Sequence, residues 1–324
     1  MFYFYNNFEL NGLISQYYSI RWVRNYNDIG EFEIELPFDK DIFENINVNT
    51  VILNTNINEA GIVLNKTVMS DNEGNWILNI KGENISTLLK RRIASYVGKD
   101  TIGNIIQKLL NENFISPTNN KRKINGFKLG NITISNSEII SIEYENEDVY
   151  SILSEILQKY NIGFKVTFDI NNKGYIFDLF EGENKDYVVF SYDYNNILEQ
   201  EYFSDISDFK NTCIMDNDGT LTVVNDENVG IDRFETYSTV KSDDTATIEE
   251  QGKLFLQKYK LKENLETVID TSAQQFIYLE DWNLGDIITT VNKRLNITLK
   301  KNILKIEEFY DESGKNITVT FGDL

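Results

Sequence analysis

The sequence predicts a mainly β protein of the α+β class: two β-rich regions, each a barrel or sandwich, with an α+β unit between them. Three observations carry this expectation. Within Ile20 to Phe38, IRWVRNYNDIGEFEIELPF, the second half alternates strictly, with Phe32, Ile34 and Leu36 on one side and Glu31, Glu33 and Glu35 on the other. A period of two marks a strand with one buried and one wet face. About six short strands fall within the first eighty-odd residues, a spacing typical of all-β domains. After Gly98 the apolar residues change to helical spacing, and from Tyr187 onward strand patterns return. These shifts place the boundaries at 1–97, 98–186 and 187–324.

The elements follow in order. Met1 to Leu13 holds a short aromatic strand ending at Asn11-Gly12, a hairpin dipeptide. Ile20 to Arg24 and Glu31 to Leu36 form the long hairpin, with turn residues Asn25, Asn27, Asp28 and Gly30 between them. Pro37 ends it, because proline donates nothing to a ladder. Val51 to Leu53, Ile62 to Met69 and Trp76 to Ile80 are further strands, the last two joined by a turn at Asp71-Asn72-Glu73-Gly74. Ser86 to Ile93 reads as a helix, closed by Lys90, Arg91 and Arg92, where cations suit the dipole.

In the middle unit Asp100 or Thr101 caps a helix bearing Ile102, Ile105, Ile106, Leu109 and Leu110. Ser116 to Gly130 is loop. Asp148 caps a second helix, with Val149, Ile152, Leu153, Ile156, Leu157 and Tyr160 on one face and Gly163 after its end. Phe164 to Ile170 and Tyr175 to Phe180 make a hairpin around Asn171-Asn172-Lys173-Gly174. In the last region Asn211 to Met215 and Thr220 to Val224 flank a turn, and Thr247-Ile248-Glu249-Glu250 opens a helix as a capping box. That helix runs to about Leu261, with Leu254, Phe255 and Tyr259 as its apolar contacts. Leu265 to Asp270, Phe276 to Leu279, Asp286 to Val291, Asn302 to Tyr310 and Asn316 to Phe321 are strands.

Composition bounds the function. At 324 residues the chain exceeds the ~250–300 at which one core stops growing, so two or three domains are expected. With only two prolines, Pro37 and Pro117, no proline-rich linker separates them. No run of ~18 apolar residues predicts a membrane helix, and MFYFYNNFEL lacks the basic and small-residue features of a signal peptide. The lone Cys213 has no internal partner for a disulfide, which suits a reducing cytoplasm. Histidine is absent, which removes Ser-His-Asp, Cys-His and HExxH chemistry together. A net charge of −20 disfavours binding to duplex DNA.

Each remaining polar cluster has a structural reading beside its functional one. Lys121-Arg122-Lys123 could hold phosphate, but no glycine-rich or aromatic cradle accompanies it, so a solvated loop is expected. Asp216-Asn217-Asp218-Gly219 resembles part of a calcium loop, but the downstream glutamate is missing, so it reads as a hairpin turn. Glu249 and Glu250 offer a carboxylate pair for glycan hydrolysis, but capping explains them. The 18 tyrosines could stack on sugars, but strand faces account for most tyrosines of β-rich proteins.

NDIGEFEIELPFD, the hairpin around AGIV and GENISTLLKRRIA resemble the opening of the tail-hub and tail-tip proteins of phages that infect Gram-positive bacteria. That family is similar in architecture to the central baseplate hub of contractile-tailed phages. The resemblance continues at FKNTCIMDNDG, GIDRFETY, LGDIITTV and the closing ITVTFGDL. It implies two tail-tube-like barrels in one chain and a homotrimeric ring of six barrels facing a hexameric tube. It implies a structural role in the virion tail, joining the tail tube or distal tail protein to the tip, spike and tape-measure proteins, with no membrane insertion. It also implies that DNA passes through the lumen without specific binding. No catalytic residue, cofactor or metal is expected, and Glu31, Glu33 and Glu35 are the candidate channel lining. A cell-wall-glycan hydrolase and a receptor- or sugar-binding module are the alternatives.

Overall fold

The computed structural model describes residues 1–70, 74–240, 247–270, 272–273 and 275–322. Strand makes up 51% and helix 18%, so the chain is mainly β, as its alternation predicts. It forms two compact units, Met1–Gln200 with Thr267–Leu324, and Glu201–Glu266.

The first unit contains one large sheet and an α+β layer. Its amino-terminal strands are β1 (Phe2–Asn6), β2 (Glu9–Ile14), β3 (Ser19–Asn25), β4 (Glu31–Pro37), β5 (Val51–Asn54), β6 (Glu59–Ser70) and β7 (Trp76–Asn84), with helix α1 (Lys40–Asn45) after β4. The α+β layer comprises β8 (Ile93–Thr101), α2 (Ile102–Leu110), β9 (Phe127–Leu129), β10 (Ile139–Asp148), α3 (Val149–Lys159), β11 (Gly163–Asp169) and β12 (Gly174–Phe180). Then come β13 (Asn184–Ser191) and β14 (Ile197–Asp205). The second unit holds β15 (Thr212–Asn217), β16 (Thr220–Val224), β17 (Glu235–Thr239) and α4 (Ile248–Gln257). The chain returns through β18 (Lys262–Ile269) to β19 (Ile287–Asn292), β20 (Ile297–Asp311) and β21 (Gly314–Gly322).

The large sheet runs in the order β14, β18, β21, β20, β3, β4, β7, β6, β5, β1, β2, with β19 bonded to β20 and β13. Its central joint is β20 against β3, antiparallel, with Lys305 opposite Asn25 and Asp311 opposite Ser19. The path has two ends, and the described pairings do not close it into a barrel. Ile20, Trp22, Phe32, Ile34, Leu36, Leu78 and Ile80 fill one core of this sheet, joined by Tyr310 from β20. Val188, Phe190, Trp282, Ile303, Ile306, Val319 and Phe321 fill another. Each fully buried aliphatic or aromatic side chain stabilises by about 1.5–3 kcal/mol.

The helical spacing in the middle of the chain does what it predicts. Ile102, Ile105, Ile106, Leu109 and Leu110 of α2 and Val149, Ile152, Leu153, Ile156 and Leu157 of α3 are buried with Phe164, Val166, Phe177 and Leu179 of β11 and β12. Asp148 caps α3, accepting from the Ser151 N–H at 3.0 Å. Tyr26, just after β3, ties this layer to the sheet: its amide donates to Leu304 O and its carbonyl accepts from Phe164 N–H. In the second unit β15 pairs antiparallel with β16 and parallel with β17, over a core of Cys213, Met215, Val224 and Leu256.

Several local expectations need correction. The first turn lies at Asn7-Phe8, both at positive φ, and Asn11-Gly12 lies inside β2. Gly12 serves a different end there, because a Cβ would sit 2.4 Å from the Phe4 ring. Ser86 to Ile93 is not an α-helix: Ile85–Arg91 is 3-10 and Ile93 opens β8. Phe276 to Leu279 forms only an isolated bridge, Tyr278 to Trp282. Leu254 of α4 is exposed, and Leu256 takes the buried position. Residues 71–73 of the expected turn at Asp71–Gly74, and the last two residues of ITVTFGDL, lie outside the described residues.

Candidate functional site

Alternation along β4 gives the candidate face its two sides. Phe32, Ile34 and Leu36 are 2%, 0% and 1% exposed, which forces Glu31, Glu33 and Glu35 onto the opposite side. Phe32 stacks on Trp22 at 5.1 Å and lies over Gly82 of the adjacent β7 and Gly61 of β6 beyond it, where a Cβ would come within 2.5 Å of the ring.

The carboxylate row is interleaved with cations across the sheet. Arg21 of β3 donates to Glu31 at 2.6 Å and, through Nε and Nη2, bidentately to Glu307 of β20 at 2.9 and 3.0 Å. Lys81 of β7 bridges Glu33 at 2.8 Å. Asn79 donates to Glu33 at 2.7 Å and to Glu35 at 3.3 Å. Glu83, opposite Glu31, pairs with Lys90, and Lys305 lies 3.8 Å from Glu307. The Lys81 and Asn79 hydrogen bonds hold Glu33 below the usual carboxylate range. Five of the carboxylates on this face, Glu31, Glu33, Glu35, Glu83 and Glu307, are thus interleaved with four cations, Arg21, Lys81, Lys90 and Lys305. Sequence reading found the acidic row but not these partners, which come from β3, β7 and β20.

Behind this face a buried polar seam joins the two ends of the first unit. Arg24 of β3, 8% exposed, donates to Glu59 from Nε at 2.8 Å and from Nη2 at 2.6 Å. Its Nη1 donates to Tyr278 at 2.8 Å and Asn283 at 2.9 Å. Glu308, fully buried, accepts from Tyr310 at 2.5 Å and pairs with Lys315 at 3.0 Å. Burial first, and Glu308 second, push the Tyr310 hydroxyl above the usual phenol range.

The other clusters have structural employment. Thr247 and Glu250 form the capping box of α4, and Glu249 pairs with Lys253 at 2.6 Å. Asp216 takes the Gly219 N–H at 2.7 Å and the Tyr237 hydroxyl at 2.6 Å, closing the β15–β16 hairpin. Cys213 is buried in β15, and burial raises its thiol pKa. Among the described residues no three acidic, cysteine or histidine side chains converge to hold a metal, and no helix is long and apolar enough to cross a membrane. Arg122, from the expected basic loop, lines a groove of about 430 Å³ with Ser95, Glu112, Asn113, Thr118 and Asn146. The described site thus offers fixed charge and shape. Neither carboxylate of the Glu249/Glu250 pair is spare.

Comparison with known proteins follows the same line. The family model described as Siphovirus ReqiPepy6 Gp37-like protein matches residues 4–323. No curated protein matches the sequence. The 43 kDa tail protein of prophage MuSo2 from Shewanella oneidensis has a similar fold, with a TM-score of 0.69, 12% identity, and coverage of 99% of this chain and 97% of that one. Prophage tail protein gp18 from Listeria monocytogenes EGD-e gives 0.60, 14%, 98% and 94%. The E. coli c3393 protein, described as a type VI secretion component with structural similarity to T4 tail proteins gp27 and gp5, gives 0.51, 11%, 95% and 74%.

Proposed function

We propose, from the premise that this chain belongs to the Siphovirus ReqiPepy6 Gp37-like family, that it is a structural hub of the virion tail. Three copies form a ring at the distal end of the tail and join the tube to the tip or spike. The observation that carries this reading is the end-to-end likeness of fold to phage tail proteins. The role is structural rather than enzymatic. Residues 1–97 and 187–324 supply the tail-tube-like parts of the ring, and 98–186 the unit between them. The partners are further copies of the chain, the tail tube or distal tail protein, and the tip and tape-measure proteins.

DNA passes through the lumen without being held. A lysine-rich wall would bind it in proportion to the phosphates neutralised, whereas a weakly acidic wall repels it. Glu31, Glu33 and Glu35 line that wall in this reading, with Arg21 and Lys81 limiting the field. Electron microscopy of tails carrying the protein tests both parts. A trimer with this face toward the lumen is expected. Six-fold or single-copy occupancy overturns the ring, and a lumen lined mainly by Lys and Arg overturns the role of the charge.

A further inference from the structure

The Glu308 carboxylate of β20 is fully buried, and its two oxygens meet different chemical groups. Oε1 accepts from the Lys315 ammonium of β21 at 3.0 Å. Oε2 accepts from Asn54 Nδ2 of β5 at 3.5 Å and from the Tyr310 hydroxyl at 2.5 Å. Asn54 is fully buried as well, and its Oδ1 accepts from the Asn56 N–H at 3.1 Å. The Lys315 ammonium lies 4.9 Å from the centre of the Tyr278 ring and 5.4 Å from that of Tyr310. Phe2 meets the Tyr310 ring edge-on at 5.5 Å. An amine and a carboxamide thus share one acid within an aromatic surround.

A buried ion pair accounts for Lys315 and Glu308, but not for a buried amide on the same carboxylate, and its charges carry a desolvation cost. We propose that Lys315 and Asn54 become joined by an amide bond, with Glu308 moving the protons. Glu308 takes one proton from the Lys315 ammonium. The neutral Nζ leaves Oε1 and attacks Asn54 Cγ, a move open to a flexible four-carbon stem. The Asn56 N–H holds Oδ1 while negative charge gathers there. Glu308 then gives its proton to Nδ2 and takes one from Nζ. The Cγ–Nδ2 bond breaks, the new Cγ–Nζ bond stays, and ammonia leaves past the Lys315 side chain, which is 29% exposed. No oxidant, reductant or co-reactant enters. Two charges disappear from the seam, because Glu308 ends protonated and Nζ ends as an amide nitrogen. Gathering amine and amide on one acid supplies the proximity that the reaction needs. The bond ties β5 to β21, so a strand near one end of the chain is held covalently to a strand near the other.

Mass spectrometry of the whole folded chain, denatured only for the measurement, tests this. A mass below that of the sequence by one ammonia is expected. Proteolytic digestion should then yield one branched peptide that carries both Asn54 and Lys315. Lys315→Arg keeps a cation on Glu308, and with its fold confirmed by circular dichroism it should show the full mass. Asn54→Asp offers an acid in place of the amide and should lose one water instead of ammonia. Glu308→Gln, folded by the same criterion, should show the full mass, and ammonia loss in that variant would remove Glu308 from the reaction. The full sequence mass in the folded, unaltered chain overturns the proposal. So does ammonia loss that persists in Lys315→Arg, or that maps to a peptide without Lys315, as ring closure at an Asn-Gly pair would give.

Discussion

Replacing Arg24 with alanine tests how the two ends of the first unit are held together. Arg24 is nearly buried and makes four hydrogen bonds, two to Glu59 and one each to Tyr278 and Asn283. Removing it strands Glu59 beside a phenol and an amide. Breaking a buried ion pair from one side costs about 3–5 kcal/mol. The Glu59 side chain keeps 21% exposure, so water recovers part of that, and the lower end, about 3 kcal/mol, is expected. Replacing both partners, Arg24→Met with Glu59→Met, leaves no orphaned charge and should cost much less than the two single changes added together. Urea unfolding followed by tryptophan fluorescence reads this, since Trp22 and Trp282 both lie in the first unit. A loss below about 1 kcal/mol for Arg24→Ala, or a double variant as costly as the sum, would refute the reasoning.

Three more outcomes follow from described contacts. Phe32→Ala should cost about 3–5 kcal/mol, because its ring fills the space over two glycines that cannot collapse inward. Glu31→Ala, on the wet side, should cost under about 1 kcal/mol, and equal losses would reverse the face assignment. Gly285→Ala should cost at least about 1–3 kcal/mol, since Gly285 has φ +89 and its Cβ would lie 2.4 Å from the Tyr26 ring; an unchanged melting temperature would show that the ring is not there. Tyr278 and Tyr310 are raised, mainly by burial, so the stability they contribute is present below the unfolded phenol pKa of about 10 and is lost as pH rises past it. The urea midpoint should therefore fall on the alkaline side, and Tyr310→Phe should flatten that fall. A midpoint constant through the phenol range would contradict the burial.

The parts of the fold legible in the sequence are those fixed by near neighbours. The alternation of β4, the Asp148 cap and the Thr247 capping box all rest on contacts a few residues apart, and each forms. What was not legible depends on distant partners. Arg21 meets Glu307 across 286 positions, and no periodicity announces that. Asn11-Gly12 reads as a turn because the dipeptide suits one, yet the Phe4 ring claims the space that Gly12 leaves. The acidic row was visible, but its balancing cations lie on other strands. The basic loop is visible too, but not that Arg122 is tied to Arg92, Ile93 and Asn113.

The β3–β20 joint also sets a schedule for synthesis. Strand β3 has β4 on one side as soon as the hairpin emerges, but its other edge waits for β20. With 286 residues between Arg21 and Glu307, a ribosome adding about 5–20 residues per second leaves that edge open for roughly 15–60 s. During this interval a strand bearing Trp22 and Val23 presents unpaired backbone to any neighbouring chain. Many copies made at once on clustered ribosomes would therefore compete with the chain's own last strands for the same edge. A nascent-chain chaperone that covers the open edge during that interval should raise the soluble yield.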